Sequence, residues 1–212
     1  MKKNYEMDMC SGPILGKLLT FTIPLIFSGI LQLLFNAADV IVVGRFAGSQ
    51  SLAAVGSTTA LINLMINIFI GLSVGVNVIV ARYYGAKREK DVQDTIHTAM
   101  ALSIVSGLFL IIVGQLLSRP MLELMGTPDD VIDKSTIYMR IIFIGMPANM
   151  IYNFGSAILR AVGDTKRPLY FLTAAGVINV VLNLFFVIMF QMDVAGVALA
   201  TAISQAISAC LV

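Results

Sequence analysis

The sequence predicts an all-α, polytopic membrane protein, and three observations carry that reading. Of the 212 residues, 58% are hydrophobic and only 12% are charged, for a mean hydropathy of +0.91. Long stretches carry no charge at all, among them residues 18–38 and 46–81. A soluble core has no need of charge-free runs beyond about 18 residues, whereas a helix crossing a bilayer does. The basic residues, finally, gather in clusters between the apolar runs.

Taken in order, residues 1–17 form a polar leader. Lys2 and Lys3 resemble the start of a signal peptide, but Glu6, Asp8 and Pro13 separate them from the apolar run. That run is span-length and lacks a small-residue cleavage site, so it reads as an uncleaved first span behind a cytoplasmic leader. Six spans are expected, at about 18–43, 60–81, 95–117, 141–159, 168–192 and 194–212. The first contains Pro24 and the fourth Pro147, each a candidate kink or hinge, since proline removes a backbone donor. Residues 45–51 read as a short polar turn, and the run 46–81 is too long for one span, which places the second helix at 60–81.

Orientation follows from charge. Lys2, Lys3, Lys17, Arg82, Lys87, Arg88, Lys90, Arg160, Lys166 and Arg167 are ten of the fourteen basic residues, and all lie on one side. The other side has only Arg45, Arg119, Lys134 and Arg140. The positive-inside rule therefore predicts a cytoplasmic N-terminus in a cell (plasma or inner) membrane.

One carboxylate breaks the apolar pattern. Asp39 stands before Val40 to Val43, inside the first span, and shares a helix face with Gln32 and Asn36 at i, i+4 and i+7 spacing. A charge at the centre of a membrane helix costs about 2.5–3.5 kcal/mol on insertion scales and usually faces an internal cavity. Asn63 and Asn67, Asn149 and Asn153, Asn179 and Asn183, and Thr201 and Gln205 each repeat the i, i+4 spacing. Any single pair is explained by hydrogen bonding between helices. Together with a carboxylate, the pairs predict a polar chamber, because amides facing lipid would lack partners. Carboxylate, amide and hydroxyl oxygens suit a hard cation or a proton.

Other features read more plainly. Gly71 and Gly75 suggest close helix packing. His97, the only histidine, reads as an interfacial residue, and the twelve methionines as adaptable packing. Cys10 and Cys210 suggest neither a disulfide nor a metal site. The net charge of +2 implies no nucleic-acid partner. With no H-E-x-x-H, G-x-S-x-G or P-loop, the chain does not read as an enzyme, and Gly163-Asp164 is explained by a turn.

The stretch RAVGDTKRPL, from Arg160 to Leu169, resembles the loop before the fifth span of the multidrug and toxic compound extrusion (MATE) transporters. TIPLIFSGILQLLF, ADVIVVGRFAGSQSLAAVG, ARYYGAKREKD, NVVLNLFFV and GVALATAISQ resemble further family segments in order and spacing, over about residues 10–212. The resemblance implies one six-helix lobe of a twelve-helix, pseudo-two-fold secondary antiporter. Such a protein exchanges inward Na⁺ or H⁺ for outward small organic cations by alternating access. Its partners would be the lipid bilayer and either a missing C-terminal lobe or a second copy, with no cofactor beyond the coupling ion. The implied Na⁺ or H⁺ site is Asp39, Asn179, Asn183 and Thr201, and Gln32, Asn36, Tyr138 and Asn153 would line the substrate cavity. Many members carry a second acid where this chain has Asn183, which leaves one fixed negative charge for the ion. The alternatives are a lipid-linked saccharide flippase of the same broad superfamily, disfavoured because the basic residues lie outside the predicted spans, and a non-transporting truncated lobe.

Overall fold

The computed structural model describes Met7 and residues 14–212, so Lys2, Lys3, Cys10 and most of the leader lie outside the described residues. Among the described residues seven α-helices follow one another: α1 (Ile14–Val42), α2 (Ser49–Gly85), α3 (Glu89–Leu124), α4 (Asp129–Ile144), α5 (Met146–Ala161), α6 (Lys166–Leu184) and α7 (Asp193–Leu211). Wide π-helical turns extend α1 over Val43–Ala47 and α6 over Phe185–Met189. Five of these segments are long and apolar enough to cross a membrane, and α4 with α5 form a sixth, broken by a bend of 48°. The fold is therefore all-α and polytopic, with the turns at two opposite ends.

At one end, the turn between α1 and α2 is narrower than the sequence suggests. Residues 43–47 remain helical, and Gly48 alone reverses the chain at φ +86°. No atom lies within 4 Å of where its Cβ would be, so glycine is required there for the backbone and not for space. The second span accordingly begins at Ser49 and not near residue 60. Ser49, Gln50 and Ser51 look like loop in the sequence, but Ser51 is fully buried.

The fourth span is also corrected. It starts near Asp129 and not at 141, and its break falls at Gly145, with Pro147 in the first turn of α5. Asp129, Asp130, Asp133 and Lys134 disguise its beginning. At the opposite end, Gly163 (φ +87°) closes α5: its N–H donates to the Arg160 carbonyl at 3.1 Å, and that of Asp164 to the Leu159 carbonyl at 2.9 Å. Asp164, almost fully buried, then accepts the backbone N–H groups of Lys166 and Arg167 at 3.1 and 3.0 Å, which caps α6.

Packing divides the helices into two groups. α1 lies along α6, and α6 along α7; α3 packs on α4 and α5, with α2 beside them, and α7 joins the groups through α4 and α5. Small residues set the closest approaches. A methyl group at Gly107 would collide with Pro147, one at Gly114 with the Phe143 ring, and one at Gly176 with the Phe35 ring. Gly71 and Gly75, the expected packing pair, are exposed and meet nothing within 4 Å. The core gathers Phe143, Met146, Met150 and Phe154 of the broken span against Leu110 of α3. α1 buries only Pro24 and Val42 and stands away from α2, which opens cavities between the groups.

Candidate functional site: a polar chamber beside Asp39

Three helices bring Asp39, Asn179, Asn183 and Thr201 together. Asn183 is fully buried on α6, and its side-chain N–H₂ donates both to Asp39 Oδ1 on α1 and, at 3.2 Å, to Asn179 Oδ1 one turn earlier. Asn179 in turn donates to Thr201 Oγ1 on α7 at 3.3 Å, and Thr201 donates to the Val197 carbonyl at 3.0 Å. The i, i+4 spacing of Asn179 and Asn183 makes this chain possible, because it stacks the two amides on the helix face that looks at both neighbours. The N–H₂ of Asn183 faces the Asp39 carboxylate directly. Its own oxygen is buried and without a hydrogen-bond partner among the described residues.

A cavity of about 680 Å³ opens on the other side of Asp39. Gln32 and Asn36 join Asp39 on the α1 wall; Thr59, Asn63 and Asn67 come from α2; Tyr138, Asn149 and Asn153 come from the broken span. Thr201 and Gln205 close it from α7, and Val55, Ile62, Ile66 and Met146 supply apolar wall. Each of the sequence's polar pairs except Asn179 and Asn183 thus reaches one chamber. Those two residues lie behind Asp39 and do not line it. Some of the amides are already engaged: Asn153 donates to Asn149 Oδ1 at 2.8 Å, and Asn67 to the Asn63 carbonyl at 2.7 Å. Gln205 Oε1 is buried and without a partner among the described residues, so its oxygen is available to a donor.

Pro24 and Pro147 sit at distinct places. Pro24 is buried within α1, where the Ser28 hydroxyl donates to its carbonyl at 2.9 Å, while Pro147 follows the break at Gly145 and rests on Gly107. His97 is exposed on α3, away from the chamber.

Several polar features were not singled out from sequence. At the Gly48 end, Lys134 Nζ meets Asp193 Oδ2 at 2.6 Å and donates to Ser51 Oγ at 3.1 Å, and Ser51 donates to Asp193 Oδ1. This trio ties α2, α4 and α7. At the Gly163 end, a second cavity of about 530 Å³ contains Asn77, Tyr152 and Arg160. The sequence places Arg160 in the loop outside the spans. It belongs to the last turn of α5 and lines this cavity. No residue spacing announces these groups, since their partners lie on other helices.

A bundle of apolar helices around a polar chamber of about 680 Å³, with Asp39 as the one carboxylate on its wall among the described residues, defines a polytopic membrane protein. The chain belongs to the MatE family, whose pattern it matches over residues 24–185. It is 35% identical over 162 residues to the probable multidrug resistance protein YoeA of Bacillus subtilis, covering 76% of this chain and 35% of that protein. To the probable multidrug resistance protein YpnP of the same organism it is 31% identical over 201 residues, covering 95% and 45%. A crystal structure of a MATE protein in the bent conformation superposes with a TM-score of 0.86 at 27% identity, over 92% of this chain and 43% of that one. The chain thus spans less than half the length of these relatives.

Proposed function

We propose that this chain acts as one lobe of a cation-coupled secondary antiporter that exports small organic cations by alternating access. The observation that carries the reading is Asp39: a carboxylate on the wall of a 680 Å³ chamber, held by the Asn183 amide. The multidrug resistance names of the relatives support drugs as the cargo. In the described arrangement the Asn183 N–H₂ neutralises part of the Asp39 charge. A Na⁺ or a proton arriving at Asp39 takes over that role, and Asn183 then turns its oxygen toward the ion, with Asn179 and Thr201 as further neutral ligands. Loss of the ion restores a bare carboxylate facing the chamber, which an organic cation neutralises instead. One fixed charge cannot satisfy both at once, and that competition is the basis of exchange. The mixed amide and aliphatic walls suit amphipathic cargo of varied shape.

The second half of the pathway comes from another six-helix lobe, whether a C-terminal one or a second copy. The charge bias of ten basic residues against four supports a cytoplasmic Gly163 end, with Asp39 in the outer half of a cell membrane. Pro24 and Pro147 are the positions where the lobe would bend. The test is ethidium efflux from membrane vesicles energised separately by a Na⁺ or a pH gradient. Asp39→Asn is expected to abolish gradient-driven efflux at an unchanged protein level. Efflux at the wild-type rate from that variant would refute the reading.

A further inference from the structure

We infer that the cavity at the Gly163 end is a binding subsite for an anionic group, a carboxylate or a phosphate on an amphipathic molecule, with Arg160 as its anchor. The inference goes beyond organic-cation export and does not depend on it. The cavity holds about 530 Å³ and lies between α1, α2, α5 and α6. Among the described residues Arg160 is its one charged lining residue, and no acid lines it. The guanidinium is half-buried and forms no ion pair with any carboxylate among the described residues; Arg45, Arg82 and Arg140 form none either, but they are exposed, whereas Arg88, Arg119 and Arg167 are paired. A desolvated, unpaired arginine is costly unless an anion completes it. Its planar fork of donors fits two oxygens of a carboxylate or phosphate at once.

The surroundings match that chemistry. Tyr152, close enough to Arg160 to interact with it electrostatically, anchors its hydroxyl on the Pro168 carbonyl at 3.2 Å. Asn77 spends one N–H on the Ala157 carbonyl at 2.6 Å and retains a second donor for a ligand. Phe21, Leu25 and Leu172 supply apolar lining. Gly29, Gln32 and Asn153 line both this cavity and the chamber of Asp39, so the two abut. A molecule anchored at Arg160 therefore extends its apolar body toward the middle of the lobe. Two sources offer the same chemistry: a soluble organic anion, or the phosphate of an anionic lipid entering from the bilayer.

The experiment measures binding and not transport. The full chain is placed in phosphatidylcholine nanodiscs, and 5-carboxyfluorescein is titrated against it by fluorescence anisotropy. Saturable binding is expected, and Arg160→Gln should weaken it by about tenfold or more, the usual loss for a charge-assisted hydrogen bond. Arg160→Lys, which keeps the charge but not the fork, should fall between the two. Competition by phosphatidylglycerol in the discs would identify a lipid phosphate as the natural occupant, and its absence a soluble anion. Binding of tetraphenylphosphonium should be indifferent to Arg160→Gln and lost in Asp39→Asn, which separates this subsite from the cation chamber. Carboxyfluorescein binding that is absent, or unchanged by Arg160→Gln in a monodisperse protein, would overturn the inference.

Discussion

Replacing Asn183 by Asp probes the charge balance at the candidate ion site directly. Asn183 is fully buried, and its N–H₂ touches both Asp39 Oδ1 and Asn179 Oδ1. The substitution keeps the shape but converts the shared donor into a second acceptor bearing charge. Two unit charges about 4 Å apart repel by about 4 kcal/mol at an effective dielectric constant of about 20. The lost hydrogen bond to a charged acceptor adds about 2 kcal/mol. For a chain of this size each kcal/mol moves Tm by about 2–4 °C, so Asn183→Asp should melt about 10 °C or more below wild type in choline chloride at neutral pH. A Na⁺ or a proton held between the carboxylates removes the repulsion, so equimolar NaCl, or acidification, should restore most of the difference. Asn183→Leu removes the donor without adding charge, so neither NaCl nor acid should narrow its loss. Thermal unfolding of the purified chain reads each variant in all three conditions. If Asn183→Asp melted at the wild-type temperature in choline, or were destabilised equally everywhere, the charge argument would be wrong.

Three further outcomes follow from the packing and the ion pairs. Gly114→Ala drives a methyl group into the Phe143 ring and should lose about 1–3 kcal/mol. Gly71→Ala meets nothing within 4 Å and should melt at or slightly above the wild-type temperature; equal losses for the two would contradict the helix packing. Lys134 and Asp193 are about one-third exposed, at 34% and 36%, so their coupling should be modest. A double-mutant cycle with Lys134→Met and Asp193→Asn is expected to return about 0.5–1 kcal/mol, and strictly additive losses would mean the trio contributes nothing.

The membrane class, the number of spans and the polar chamber were all legible in the chain, because each depends on what one helix carries. A charge-free run must be buried in lipid whatever surrounds it, and an i, i+4 amide pair shares a face in any helix. Asn63, Asn67, Asn149 and Asn153 reach one cavity for that reason. Span limits were less legible wherever polar residues sit at a buried helix end. Ser51 reads as loop until Asp193 and Lys134 are seen to satisfy it, and the acids of α4 hide the start of the broken span.

Relations between helices were not in the sequence at all. That Asn183 meets Asp39 across 144 positions, that Gly114 and Gly176 receive aromatic rings while Gly71 and Gly75 receive nothing, and that Arg160 points into a cavity are facts of approach. Periodicity fixes the face on which a side chain stands, but not the neighbour that face is turned toward. The rotation and tilt of each helix emerge only from packing all of them at once, and in this chain that packing decides where the Asp39 carboxylate and the half-buried Arg160 guanidinium lie.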